Sequence, residues 1–501
     1  MRIKSLLIRP YARYIARKVS LWSAKPAEAQ DKTLKSITGI AAGTAFGKEH
    51  RFDSIKTYDD FKKTVPLRNY EQFVPYIQRV INGEKNVLWP GKPLYFAKTS
   101  GTTSGIKYIP VTRDSIKNHF YTAQTALLLF MREAQRWNIM DGKMIFLSGS
   151  PELEDAGGIP AGRLSGIVNH HIPSWLRGNQ LPSWKTNCID DWETKVDRIV
   201  DETIRQNMTL ISGIPPWVQM YFDRLVKKAG KPVIEIFPNL QVLVHGGVSF
   251  EPYRSRLEKS LGTRLPAIET YPASEGFIAF QDTAKWQGLL LNVDSGIFFE
   301  FVKAENIFDE NPERLSLRGV HTGVNYAIIV NSNAGLWGYV VGDTVKFVST
   351  QPYRITVTGR ISQYLSAFGE HVIAEEVEQA MNEALAGEDT VVTEFTVAPS
   401  ISSSKGEPPC HEWLIEFEKP PAHPDRFSAR LNQLMCGKNI YYDDLIKGKV
   451  LQPLKITPLR KNAFINYMKE AGKLGGQNKV PHISNDRKMA EELLAVSNSK
   501  L

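Results

Sequence analysis

The run Lys98-Thr99-Ser100-Gly101-Thr102-Thr103-Ser104-Gly105-Ile106-Lys107 gathers five hydroxyl side chains around two glycines. Small residues of this kind let backbone N–H groups and side-chain hydroxyls converge on phosphate oxygens without steric crowding. The pattern departs from the GxxxxGK[ST] nucleotide loop, because the glycines are four apart and Lys107 lies two beyond the second, with no Ser or Thr after it. Taken alone, such a stretch serves equally well as a flexible turn. Further along lie other groups of chemical interest: Glu275 before Gly276, Asp343 after Gly342, the pair Gly359-Arg360, and Lys479 in a basic tail. Each has a plain reading beside the chemical one, since acids next to glycine are usually solvated turns and tail lysines usually face water. The adjacent pair His170-His171 has no carboxylate or cysteine at ligand spacing and predicts no metal site.

Elements that would position these groups alternate in type. Residues 1 to about 85 read as mainly helical framework. Leu94–Ala97 enters the hydroxyl-rich loop as a strand, Tyr108–Val111 leaves it as another, and Asp114 is placed to cap a helix through about Arg136. Short apolar strands at Met144–Leu147, Leu210–Ser212, Val242–Val244 and Ala267–Glu269, separated by helical or turn-rich segments, give an α/β pattern. From about 290 to 358 strand-like pieces follow one another: Gly296–Val302, Tyr326–Asn331, Gly338–Val341, Thr344–Val348 and Arg354–Thr358. After Gly359-Arg360 come a helix at Ala374–Leu385 and strands at Thr393–Val397 and His411–Glu418, as in a small α+β domain. The expected organisation is a large N-terminal domain, 1–359, with mixed sheets and a β-rich part, and a small C-terminal domain, 360–501.

A chain of 501 residues that is 42% apolar can bury a large core. The net charge of +9 is spread among acids, and with no zinc-finger spacing or basic block it does not indicate nucleic-acid binding. No apolar run has the length of a membrane span. Cys188, Cys410 and Cys436 are odd in number and far apart, which predicts neither a disulfide framework nor a CxxC metal site and fits a reducing, cytoplasmic compartment. The basic, apolar-interleaved segment before Glu28 reads as an amphipathic first helix packed on the body, with a transit peptide or membrane-surface helix as the other reading.

Read together, the motifs narrow the field. The run Phe96–Thr112 resembles the ATP-binding signature of the auxin-responsive-promoter (Gretchen Hagen) family of acyl-acid amido synthetases, within the adenylate-forming superfamily that includes firefly luciferase and acyl-CoA synthetases. Thr44–His50, Val87–Gly91, Gly246-Gly247-Val248, Tyr271–Gly276 and Gly335–Asp343 resemble further phrases of that family, in its order. Gly359-Arg360 resembles the superfamily's inter-domain hinge phrase, and Gly475–Pro481 the Gln-x-Lys-x-Pro phrase near the family's C-terminus.

What the resemblance implies is an ATP- and Mg²⁺-dependent ligase that converts a small carboxylic acid to its acyl-AMP and passes the acyl group to an amine, usually an amino acid. Thr99, Ser100, Gly101, Thr102, Thr103 and Ser104 would hold phosphate oxygens. Glu275 would ligate Mg²⁺, Tyr271 and Ser274 would lie at the nucleotide, Asp343 would accept from the ribose hydroxyls, and Arg360 would mark the hinge and reach the nucleotide. Lys479 would be the lysine that meets the nucleotide during adenylation. Phe120, Leu127 and Trp217 are candidates for the acyl pocket, although apolar residues at helical spacing are more often core. The sequence departs from relatives at Ser362, where some carry lysine, and at His482, where arginine is common. An acyl-CoA synthetase and a non-catalytic nucleotide- or acyl-binding protein are the competing readings.

Overall fold

Strands Lys143–Phe146, Met208–Ser212, Val242–Gly246 and Ala267–Ala273 lie side by side and parallel, with Gln180–Leu181 outside the first. Met208–Ser212 and Val242–Gly246, in the middle of this group, are mostly buried, as strands covered on both faces require, which is why they read as short apolar runs. Past Ala267–Ala273 the same sheet continues through Gly276–Phe280, Leu289–Leu291, Tyr353–Arg360, Tyr339–Thr350, Asn325–Ser332 and Ile297–Lys303. The first of these pairs antiparallel with Ala267–Ala273, and the last two pair antiparallel with each other. This computed structural model describes residues 3–100, 106–189, 191–247, 250–361, 364–365, 367, 370, 372–400, 409–447, 450–474 and 479–498.

The chain forms two compact units. The first comprises Met1–Phe250, Ser255–Val341 and Val345–Val357; the second comprises Glu251–Arg254, Gly342–Thr344 and Thr358–Leu501. In the first, the strand Tyr95–Ser100 pairs antiparallel with Ile106–Val111 and parallel with Pro160–Gly162 in a separate four-stranded sheet. In the second, Val391–Ser400 pairs antiparallel with Cys410–Lys419, which pairs parallel with Lys455–Leu459. Val377 and Met381 of the helix Ala374–Leu385, and Leu431 and Met435 of Pro424–Lys438, are buried with Phe395 and Trp413 of this sheet. The α/β class with a smaller α+β unit is therefore as expected.

Two local expectations need correction. Asp114 does not cap the helix Ser115–Ala134: its backbone is already helical, and its carboxylate accepts from Trp89 Nε1 at 3.3 Å and pairs with Lys117 at 3.4 Å. Thr112 does the capping, with its Oγ1 accepting from Ser115 N at 3.0 Å while Ser115 Oγ accepts from Thr112 N at 2.9 Å. Gly338–Val341 and Thr344–Val348 are not two strands but parts of one, Tyr339–Thr350; Gly342, at φ +95°, deforms the strand without ending it.

The first helix, Ile3–Ala24, buries Ala12 and Val19 in a cluster with Leu128, Leu129 and Met131 of Ser115–Ala134, and Arg9 stacks over Trp137. Ile8, Ile15 and Ala16 are partly buried against the same cluster, while Tyr11, Tyr14 and Leu21 remain exposed. Among the described residues no helix is long and apolar enough to cross a membrane. Deeper in the first unit, Glu300 is fully buried, and Arg314 grips it through two bonds of 2.9 and 2.7 Å. Tyr58 Oη and Asn331 Nδ2 also donate to this carboxylate, at 2.9 and 2.8 Å. Every strong bond of the anion is occupied, as a buried charge requires.

Candidate functional site

Parallel α/β sheets bind ligands beyond the carboxyl ends of their strands, where loops emerge and backbone groups are free. Glu275 lies there, in the turn between Ala267–Ala273 and Gly276–Phe280, with Ser274 half-buried beside it. Glu275 is 9% exposed. Tyr339 donates to it, and burial followed by the charge of Glu275 raises the Tyr339 hydroxyl well above its ordinary range. Tyr70 Oη, also close enough to influence Tyr339, accepts from Tyr108 N at 2.7 Å. Lys107 lies over the Tyr70 ring at 5.6 Å. Thus Glu275 and the strand leaving the hydroxyl-rich loop are connected through two tyrosines that no motif singled out.

The loop's entry is built by the pairing of Tyr95–Ser100 with Ile106–Val111, in register from Tyr95↔Val111 to Ser100↔Ile106. Thr99 is half-buried on this hairpin. The calls on Gly101, Thr102, Thr103 and Ser104 lie outside the described residues. Tyr271 is 6% exposed and belongs to the main hydrophobic core. The three acyl-pocket candidates are distributed rather than gathered: Phe120 packs beside His171 with ring centroids 5.5 Å apart, Leu127 joins the cluster under the first helix, and Trp217 packs on Trp192 at 4.5 Å.

The second unit collects the remaining candidates. Asp343 and Arg360 face each other across Tyr339–Thr350 and Tyr353–Arg360, with Arg360 Nε 3.0 Å from Asp343 Oδ1. Asp343 is the more sheltered, its side chain 15% exposed against 48% for Arg360. Lys479 lies within electrostatic reach of both and of Glu378. Desolvation lowers its ammonium to about 8; Asp343 and Glu378 oppose the shift and Arg360 adds to it. The side chain nonetheless remains exposed to water. A lysine poised near neutrality beside a carboxylate and a fixed guanidinium can bring positive charge to a phosphate and lose it again.

Next to Lys479 the chain places His482 between two acids: Nδ1 is 2.7 Å from Glu378 Oε1 and Nε2 is 3.0 Å from Glu394 Oε1. Burial by itself would lower this histidine, but the hydrogen bonds and charges of both glutamates reverse that and raise it to about 10. Tyr253 Oη donates to the other oxygen of Glu394 at 2.7 Å. The departure at 482 therefore keeps the cation that arginine would supply. Glu378 links the clamp to Lys479, a role with no signal in the sequence because the two residues meet only through the fold.

Among the described residues no group of three His, Cys, Asp or Glu side chains could hold a metal. A single sheltered carboxylate such as Glu275 suits Mg²⁺ in a different way, since that ion is commonly held by one or two carboxylates with substrate phosphates and water completing the shell.

Comparison with known proteins agrees along the chain. Residues 16–196 match the GH3 family N-terminal domain, 290–360 its central domain and 375–488 its C-terminal domain. A jasmonoyl–L-amino acid synthetase of Oryza sativa subsp. japonica is 24% identical over 92% of this chain and 92% of its own length. An indole-3-acetic acid-amido synthetase of Arabidopsis thaliana is 23% identical over 90% and 88%. Among solved structures, the GH3.15 acyl acid amido synthetase superposes with a TM-score of 0.79 at 17% identity, covering 96% of this chain and 95% of that one, a likeness of fold. With three consecutive family segments matched in order on a fold of the same architecture, this chain belongs to the GH3 family.

Proposed function

We infer that the chain is an acyl-acid amido synthetase: an ATP-dependent ligase that forms an acyl-adenylate from a carboxylic acid and transfers the acyl group to an amine. The ordered match to the N-terminal, central and C-terminal segments of the family carries this reading. A carboxylate resists direct attack because it is already anionic and would have to expel oxide. In the first half-reaction a carboxylate oxygen bonds to the α-phosphorus of ATP and the bond to pyrophosphate breaks. In the second, the amine nitrogen bonds to the carbonyl carbon, AMP leaves, and the nitrogen gives up a proton. Catalysis of the first step rests on alignment and on cationic charge at the phosphoryl oxygens.

In this reading Thr99 to Ser104 bind phosphate oxygens, with Ser274 beside them. Glu275 would hold Mg²⁺, which when bound neutralises phosphate charge. Asp343, oriented by Arg360, accepts from the ribose hydroxyls, and Lys479 supplies a proton-bearing cation to the departing pyrophosphate. The sheltered position of Asp343 and the lowered Lys479 support these assignments. An amino acid is the proposed acceptor, supported by the names of the Oryza and Arabidopsis relatives. A cytoplasmic location belongs to the same proposal, supported by three unbridged cysteines.

Carboxylate-dependent exchange of pyrophosphate into ATP, measured with a panel of acids, tests adenylation. Mass spectrometry of products formed with pooled amino acids or with CoA tests the acceptor. Amide products support the reading, and thioesters formed only with CoA would replace it with an acyl-CoA synthetase.

A further inference from the structure

Arg163 is half-buried, directly after the strand Pro160–Gly162, and desolvation lowers its guanidinium from the ordinary range. Three other arginines of the first unit have found acceptors: Arg314 binds Glu300, Arg354 binds both oxygens of Asp282 at 2.7 and 2.9 Å, and Arg136 donates to Gln241 O at 2.9 Å. Arg163 has no hydrogen-bond or ion-pair partner among the described residues. The acid closest along its sheet does not serve it, because Glu154 pairs with Lys98 at 2.6 Å. A guanidinium withdrawn from water without an anion is unfavourable for folding alone, and a ligand carrying that anion would relieve the cost.

Its location says what that ligand is. The register Ala97↔Gly162 sets Arg163 beside the residues that lead from Ala97 into the hydroxyl-rich loop. Its aliphatic stem passes over Gly149, where an added Cβ would lie 2.7 Å from Arg163 Cδ. Gly149 follows the carboxyl end of Lys143–Phe146, and Glu275 follows the carboxyl end of Ala267–Ala273, in the same parallel portion of one sheet. The unpaired cation thus stands on the ligand-binding edge of that sheet, at the root of the loop. We propose that Arg163 binds a substrate carboxylate through its planar fork, the carboxylate being that of the acid to be activated or the α-carboxylate of an amino-acid acceptor. This rests on the amido-synthetase reading.

Arg163→Gln removes the charge at similar size, and Arg163→Lys keeps the charge but not the fork. In pyrophosphate exchange and in complete turnover, Arg163→Gln is expected to raise the KM of either the acid or the amino acid about 10- to 100-fold, with Arg163→Lys recovering part of the loss. A rise confined to the acid identifies the first source, and one confined to the amino acid identifies the second. A rise in the KM of ATP alone makes Arg163 a phosphate anchor and overturns the proposal, as do unchanged values throughout. Thermal shift with the same carboxylates keeps the question open to decision without turnover: stabilisation of the wild type that persists in Arg163→Gln, or no stabilisation of the wild type by any of them, overturns the proposal. Lack of exchange in the wild type counts separately against the amido-synthetase reading. Without ligand, Arg163→Gln should melt no lower than the wild type; a lower melting temperature shows a structural role instead and overturns the proposal.

Discussion

The two units bury charge in opposite ways. In the first, one carboxylate, Glu300, is surrounded by donors, and its counter-charge is a guanidinium, a group that as a class keeps its charge in proteins. In the second, one imidazole, His482, is clamped between Glu378 and Glu394. Both clusters are satisfied by hydrogen bonds, so neither leaves a bare ion in the protein interior. The difference is whether the cation can be titrated away. Lys479, near His482 in sequence and within electrostatic reach of the same Glu378, is also titratable. The larger unit is therefore held by a fixed charge, whereas the smaller one carries charges that respond to pH.

The sharpest way to break this contrast is Glu300→Gln, which leaves Arg314 buried without its counter-charge and should cost about 3–5 kcal/mol in chemical denaturation. That loss should be nearly the same at pH 6 and pH 9. His482→Ala should cost a similar amount at pH 6, but the cost should shrink as pH rises. The sign follows from the raised value: folded His482 titrates near 10 and an unfolded histidine near 6.5. Its stabilisation is complete below pH 6.5 and disappears as pH climbs through about 10. A cost that held constant to pH 10 would show that His482 packs rather than pairs.

Function carries the same contrast. Lys479→Ala should lower pyrophosphate exchange about 100- to 1000-fold, the range for losing one group that stabilises transition-state charge. Exchange by the wild type should fall above pH about 8, where Lys479 loses its proton, and a profile flat to pH 10 would remove that role. The smallest expected effect is that of His482→Arg, which substitutes a permanent cation. Its stability at pH 6 should stay near the wild type, while the decline between pH 6.5 and 10 should flatten. A decline of unchanged slope would place the titrating group elsewhere.

Much of this molecule was legible before its fold was seen. Buried parallel strands are rich in apolar residues, so Leu210–Ser212 and Val242–Val244 read as strands, each falling inside a slightly longer observed one, and the ordered phrases from Phe96 to Pro481 carried the family. Local competition was harder to read: Asp114 is a plausible cap by residue type, but its backbone is already helical and the hydrogen bonds at the helix start go to Thr112. The hydroxyl-rich loop, Glu275, Asp343, Arg360 and Lys479 were visible as residue types in order, whereas the pairing of Asp343 with Arg360 appeared only in the fold. What only tertiary structure decided is who partners whom. Tyr339 on Glu275, Glu378 and Glu394 on His482, and the lack of a partner for Arg163 among the described residues all depend on residues far apart in the chain, and electrostatic and hydrogen-bond energies are set by distance in space rather than along the sequence.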